Sequence, residues 1–370
     1  MNTNRLLPLK KFGQSVWLDY LSRDLIESGE LLRLVQEDGI AGVTSNPAIF
    51  EKAINGSKVY DQTIARLSKE GLDIESIYRQ ITLRDIADAA DLLHPVFAAS
   101  NGADGFVSLE VSPHLAYDSD ATVREAHELW GLLDRENVMI KVPATPAGLM
   151  AIRQLISDGI NINVTLLFGL SRYREVCEAY LAGLEARVLA KKSIHSVASV
   201  ASFFLSRIDS LVDPLLEKMD ELEEASQFMG KAAIASAKLA YQYYQDFFTS
   251  QRFQVLADQG ARPQRLLWAS TSTKNPAYPD TQYVDSLIGY NTVNTMPMQT
   301  INAYRDHGQP AERLTADTDE AQAVLTGLIN SGVDIDVIEH QLEKEGIEKF
   351  IDPYDKLFRS LQQKAGKTGK

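Results

Sequence analysis

The sequence predicts an α/β fold in which eight parallel strands alternate with helices and close into a (β/α)8 barrel with extra helices. Three observations point there. Short apolar, β-branched segments alternate with long amphipathic ones, the pattern of parallel strands covered by crossover helices. The candidate strands number eight, which favours closure over an open sheet. No Gly-rich fingerprint follows the first strand and no GKS or GKT phosphate loop occurs, so the doubly wound dinucleotide and ATP folds, the runner-up, lose support. A length of 370 residues is compatible with a single barrel of this type.

The first strand, residues 15–19, ends in Asp19, and the second, 41–45, runs into Thr44-Ser45-Asn46-Pro47. The long connection 55–102 holds at least two helices. The third strand, 105–111, carries Glu110, and a helix over 120–135 follows, with apolar residues recurring three and four positions apart. Val138–Pro143 is the fourth strand and carries Lys141. The fifth, 162–168, carries Asn163 and Thr165 and precedes a helix over Leu170–Leu189. The sixth, 197–203, leads to Ser202 and Arg207, after which 207–264 reads as an extended helical excursion. The seventh, 265–270, delivers Ser270, with Ser272, Thr273 and Lys274 just beyond, and the eighth, 288–295, holds Asn291, Asn294 and Thr295. Residues 315–370 read as two or more helices, a C-terminal extension packed on the barrel, and their polar Lys-rich tail from Gln362 reads as a frayed end. With no fixed-period repeat and no low-complexity linker, residues 1–370 form one barrel domain with insertions.

Composition narrows the function. Fifty acidic against 37 basic residues give a net charge of −13, which repels nucleic acid and anionic lipid, and no basic cluster interleaved with aromatics offers an exception. The single cysteine, Cys177, lies in a helical pattern as a small buried side chain and excludes an internal disulfide. No segment approaches the roughly 20 apolar residues needed to cross a bilayer. The expectation is a reduced, cytoplasmic protein. His94, His114, His127, His195, His307 and His340 are scattered with no HExxH pair, so no metal site is expected, and no GxSxG nucleophile elbow occurs.

Lys141 is the residue that does not fit its surroundings. In the apolar run Val138-Met139-Ile140-Lys141-Val142-Pro143, desolvation should lower the pKa of its ammonium and free the amine for attack on a carbonyl. Taken alone, the run favours a strand-end lysine whose head reaches water. The other strand ends change that reading. Barrel enzymes build their sites at the carboxyl ends of several strands, and here polar residues occur at that end of all eight. Any one of them, alone, is a cap or a loop organiser. Asp19 reads equally as a base or as a helix cap near Ser22, Glu110 as an acid/base group or an ion-pair partner of Lys141, and Asn46 as a turn former or a ligand grip.

Six segments together resemble the transaldolases: AGVTSNPAIFEKAI from Ala41, VSLEVSPHLAYD from Val107, MIKVPATPAG from Met139, ININVTLLF from Ile160, SFFLSRID from Ser202 and WASTSTKNPAY from Trp268. TSTKNPAY and GYNTVNTMP from Gly289 look more like the bacterial subfamily sometimes fused to a phosphoglucose isomerase, for which this chain is too short. The resemblance implies a barrel of class I aldolase type, with no cofactor, that moves a dihydroxyacetone unit between sugar phosphates in the pentose phosphate pathway. It implies Lys141 as the Schiff-base nucleophile, Glu110 as the acid/base carboxylate and Asp19 as the second carboxylate. It further implies Asn46 (with Thr44 in the same TSNP segment) and Asn163 holding the triose, Thr165 nearby, and Ser202, Phe204 and Arg207 as the sixth-strand set, with Arg207 on the phosphate.

The chain departs from the family pattern at the seventh strand. Many transaldolases place an arginine two residues after the strand's serine, here Ser270, and this chain has Ser272 there. Lys274 is the candidate replacement for that charge, as a point charge where arginine gives a fork. Arg172 and Arg174 are the next candidates, although both read as decorating a solvated helix face. Two other functions stay open: a Schiff-base aldolase releasing free dihydroxyacetone, and a non-catalytic barrel that binds sugar phosphates. Monomer and homodimer are both open.

Overall fold

A computed structural model describes residues 4–219 and 226–367. Its eight strands are β1 (Gln14–Leu18), β2 (Gly42–Thr44), β3 (Phe106–Glu110), β4 (Val138–Pro143), β5 (Ile162–Leu167), β6 (Ser199–Phe204), β7 (Arg265–Ala269) and β8 (Thr292–Met296). All neighbours pair in parallel and β8 returns to β1, closing the barrel in sequence order. Helices α1 (Arg23–Glu27) and α2 (Glu30–Asp38) follow β1, and α3 (Pro47–Gly56), α4 (Asp61–Lys69) and α5 (Ile74–Ala99) follow β2. After β3, β4 and β5 come α6 (Ser119–Leu133), α7 (Pro146–Asp158) and α8 (Leu170–Leu189). The excursion after β6 holds α9 (Ser206–Lys218), α10 (Ala232–Thr249) and α11 (Gln251–Ala257), and residues 220–225 of it lie outside the described residues. The short α12 (Gln282–Asp285) precedes β8, and α13 (Met298–His307), α14 (Thr318–Asn330) and α15 (Ile335–Lys367) follow it. Among the described residues no helix is long and apolar enough to cross a membrane.

The strands read as nearly continuous apolar runs because both their faces are buried, against the barrel interior and against the helices. Trp17 fills the lower interior. It shares a register row with Thr295 on β8 and lies 6.2 Å from the Phe106 ring, and it fits because Gly42 on the next strand has no side chain: a Cβ there would sit 2.5 Å from the indole. Below Trp17 the amino-terminal mouth is plugged. Arg265 pairs with Asp104 at 3.2 Å and donates to Ser15 Oγ, while Ser15 and the Trp17 indole N–H also donate to Asp104. Only the carboxyl end of the barrel is left to hold a site.

Two expectations fail. The eighth strand starts at Thr292, four residues later than the apolar pattern predicts, because the Ile288 carbonyl accepts from the Arg313 and Leu314 N–H groups and Asn291 takes a left-handed φ of 57°. The tail from Gln362 is helical to Lys367, with residues 368–370 outside the described region. It is held, not frayed, because Leu361 and Ala365 are buried and Lys364 donates to the Ile54 carbonyl and pairs with Asp61 at 2.8 Å. Along its length α15 packs on α3, α4, α5 and α9.

Candidate active site

Strand register assembles the centre of the site. Glu110 on β3 is paired with Lys141 on β4, and Lys141 with Asn163 on β5, so the three side chains form one row across adjacent strands. The Lys141 and Glu110 side chains are each only 5% exposed, and Nζ lies 3.9 Å from Glu110 Oε2 and 3.3 Å from the Ser45 carbonyl to which it donates. The lysine head is therefore buried and does not snorkel to water. Burial pushes the Glu110 carboxyl up to about 7, with Lys141 and Arg207 pulling it down and Asp19 pushing it further up. Among the described residues Glu110 Oε2 has no hydrogen-bond partner, and Lys141 Nζ stands 3.9 Å from it.

Asn163 is fully buried and locked. Its amide donates to Ser108 Oγ at 3.0 Å, and Ser202 Oγ donates to its carbonyl oxygen at 2.6 Å. Each end of the amide keeps capacity for one more hydrogen bond. Thr165, two residues on, has a buried hydroxyl with no hydrogen-bond partner among the described residues. Asp19, just past β1, accepts from Thr44 Oγ1 at 2.7 Å, and that hydroxyl also meets Thr295 Oγ1 at 2.8 Å. The cap of α1 is Ser22, whose side chain accepts from the Leu25 N–H, so the capping reading of Asp19 fails and its carboxylate is turned to the barrel mouth. Asn46 does cap: its Oδ1 accepts from the Ile49 N–H at the start of α3, which leaves its amide N–H groups to donate elsewhere.

Arg207, at the start of α9, is a partly buried cation with no ion-pair partner among the described residues. No hydrogen bond or ion pair among the described residues uses its guanidinium, and Nη1 is completely buried and unpartnered. Its Cζ lies 5.0 Å over the Phe204 ring and 5.7 Å over the ring of Phe350 on α15, and burial lowers its pKa, opposed by Glu110, Asp19 and Glu345. Ser270 has a left-handed φ of 55°, and its carbonyl accepts from the Ser206 N–H, which ties the end of β7 to the start of α9. Lys274 is exposed and donates to Ser272 Oγ. Its pKa is lowered, first by burial and then by repulsion from Arg207, with Asp19 opposing.

Arg172 departs from expectation. Its side chain is only 16% exposed and is held by Glu175 at 2.6 Å and by Glu343 of α15 at 3.3 Å, while Arg174 stacks on Tyr243 at 5.2 Å. Arg172 is thereby committed to two carboxylates, while Arg174 stays exposed on its helix face. Among the described residues no three His, Cys, Asp or Glu side chains are grouped to hold a metal ion. Three contributors escaped the sequence reading. Ser108 lies in the same SLEV segment as Glu110 and was within reach of the strand alternation, and the Ser45 carbonyl carries no sequence signal. Phe350 lies more than two hundred residues beyond Lys141, where no local pattern connects them.

Residues 16–361 match the family model described as transaldolase/fructose-6-phosphate aldolase. Transaldolase 2 of Nostoc sp. (strain PCC 7120) is 48% identical, covering 98% of each chain. The transaldolase of Trichodesmium erythraeum is 47% identical over 99% of each, and that of Thiobacillus denitrificans 47% identical over 95% of this chain and 98% of its own.

Proposed function

The chain belongs to the transaldolase/fructose-6-phosphate aldolase family, and from that premise we propose that it is a transferase carrying a dihydroxyacetone unit from sedoheptulose 7-phosphate or fructose 6-phosphate to an aldose phosphate. Its work lies in the non-oxidative part of the pentose phosphate pathway. The observation that supports the chemistry best is a buried Lys141 amine 3.9 Å from a carboxyl raised to about 7, in a site whose Arg207 has no ion-pair partner among the described residues.

The neutral Nζ of Lys141 adds to the C2 ketone. Glu110 then delivers a proton to the departing hydroxyl, and water leaves to give the iminium. At 3.9 Å the two groups are within reach of one bridging water. Asp19 takes the proton from the C4 hydroxyl, the C3–C4 bond breaks, its electrons move into the iminium to form the enamine, and the aldose phosphate departs. An acceptor aldehyde enters and the steps run in reverse. Asn46 and Asn163 hold the triose hydroxyls, with Thr44, Thr165 and Ser202 supporting them, and Arg207 and Lys274 bind the phosphate beside Ser270 and Phe204.

Borohydride added with fructose 6-phosphate should attach a triose to Lys141, and absence of that adduct sinks the Schiff-base reading. Following glyceraldehyde 3-phosphate release with and without erythrose 4-phosphate separates a transferase, which needs the acceptor, from an aldolase.

A further inference from the structure

We propose that Phe350, carried on the C-terminal helix α15, closes the site over Lys141 and decides whether the bound enamine waits for an acceptor or is released by water. The inference rests on the Schiff-base reading above and deepens it.

The Phe350 ring is 4% exposed, with its centroid 5.8 Å from Lys141 Nζ and 5.7 Å from Arg207 Cζ. It therefore stands over the gap between the amine and the phosphate cation that a sugar phosphate must bridge. The ring is fixed from both sides. Toward the start of α15, Glu343 pairs with Arg172. One turn before Phe350, Gly346 lets the helix settle on the barrel, since a Cβ there would sit 2.9 Å from Leu166 Cδ2 and 3.4 Å from Arg207 Nη1. One and two turns after it, Tyr354 and Phe358 pack on Tyr78 with centroids at 5.5 and 5.2 Å, and Lys364 ties the end to Asp61.

The enamine is lost to hydrolysis when its carbon takes a proton from water. The resulting iminium then adds hydroxide at C2, and the carbon–nitrogen bond breaks to give free dihydroxyacetone and the neutral Lys141 amine. An apolar ring over Nζ excludes that water, and its π face favours the cationic iminium over the hydrated alternative. A polar or absent side chain at 350 does neither.

The test is the partition between transfer to erythrose 4-phosphate and acceptor-independent release of dihydroxyacetone from fructose 6-phosphate, measured beside borohydride labelling of Lys141. Phe350→Ala should still label at Lys141 while its release-to-transfer ratio rises about tenfold or more, on the scale of a lost desolvated cation–π contact. Phe350→Leu, which keeps the apolar cover, should restore a low ratio. Phe350→Tyr, which keeps the ring and adds a hydroxyl able to hold water near Nζ, should shift the ratio the same way as Phe350→Ala, which covers the case in which that variant does not fold. Labelling at Lys141 with an unchanged ratio in both variants overturns the role of Phe350. Failure of the unaltered protein to label overturns the Schiff-base reading and this proposal with it.

Discussion

Replacing Glu110 by glutamine separates what this carboxyl does for the reaction from what it does to the fold. Burial raises it from 4.5 to about 7 in the folded protein, against the pull of Lys141 and Arg207. Below pH 4.5 it is protonated in the folded and unfolded chains alike. Between 4.5 and 7 the unfolded chain releases the proton first, so stability falls as pH rises through this window and stays lower above it. At about 1.36 kcal/mol per unit the full loss is about 3 kcal/mol, nearly complete at pH 8 and below about 1 kcal/mol at pH 5. Glutamine keeps the volume and never ionises. Glu110→Gln should therefore be more stable than the unaltered protein by about 2–3 kcal/mol at pH 8 and by less than about 1 kcal/mol at pH 5. Its turnover should fall about 10²–10⁴-fold at both, since no proton reaches the departing hydroxyl. Urea unfolding midpoints at the two pH values, with kcat alongside, measure both. A stability gain that is the same at pH 5 and pH 8, or a loss at pH 8, would refute the assignment of a buried, raised carboxyl.

Arg207→Ala should raise KM for fructose 6-phosphate about 10–150-fold, the range of a lost charge-assisted hydrogen bond or two, and leave unphosphorylated fructose unaffected; equal effects on both sugars would remove Arg207 from the phosphate. Lys274→Ala should raise the same KM only a few-fold, because an exposed point charge is worth about 1 kcal/mol, and an untouched KM would show that Lys274 does not replace the usual seventh-strand arginine. Gly42→Ala drives a methyl into the Trp17 indole, 2.5 Å away, and should cost about 1–3 kcal/mol in urea unfolding, with no loss if Trp17 does not fill the barrel. Asp85→Ala leaves the buried Arg23 guanidinium, 2.8 Å away, and the Tyr60 hydroxyl without their partner; it should cost about 3–5 kcal/mol by the same measurement.

What was legible in the sequence is what depends on strands. Lys141, Glu110 and Asn163 lie inside short apolar runs whose alternation announces a barrel interior, and parallel register places all three in one row without any tertiary detail. What was not legible depends on long-range packing. The eighth strand starts late because the Ile288 carbonyl bonds to a loop more than twenty residues on, which no window of apolar periodicity contains. Arg172 reads as solvated from its own helix, yet its side chain is 16% exposed and pairs with Glu343, which arrives from α15. The tail looks polar because its lysines are counted as solvent groups, yet Lys364 is a tether to α3 and α4.

The polar atoms left unsatisfied at the carboxyl end explain how a rigid barrel can be selective before any ligand arrives. Glu110 Oε2, Thr165 Oγ1 and Arg207 Nη1 are buried with no hydrogen-bond partner among the described residues, although nearby Asn163, Asp19 and Asn46 are each tied to neighbours. An unpaired buried polar group costs about 1–3 kcal/mol, and more when charged. The row across β3, β4 and β5 is fixed by sheet register and cannot rotate away, and Arg207 is clamped between Phe204 and Phe350. A substrate that supplies a carbonyl to the amine, hydroxyls to the strand ends and a phosphate to Arg207 recovers the cost at several points together. A substrate lacking one of these leaves its partner buried and unpaired, so discrimination arises from the penalty for the missing group as much as from the contacts that are made.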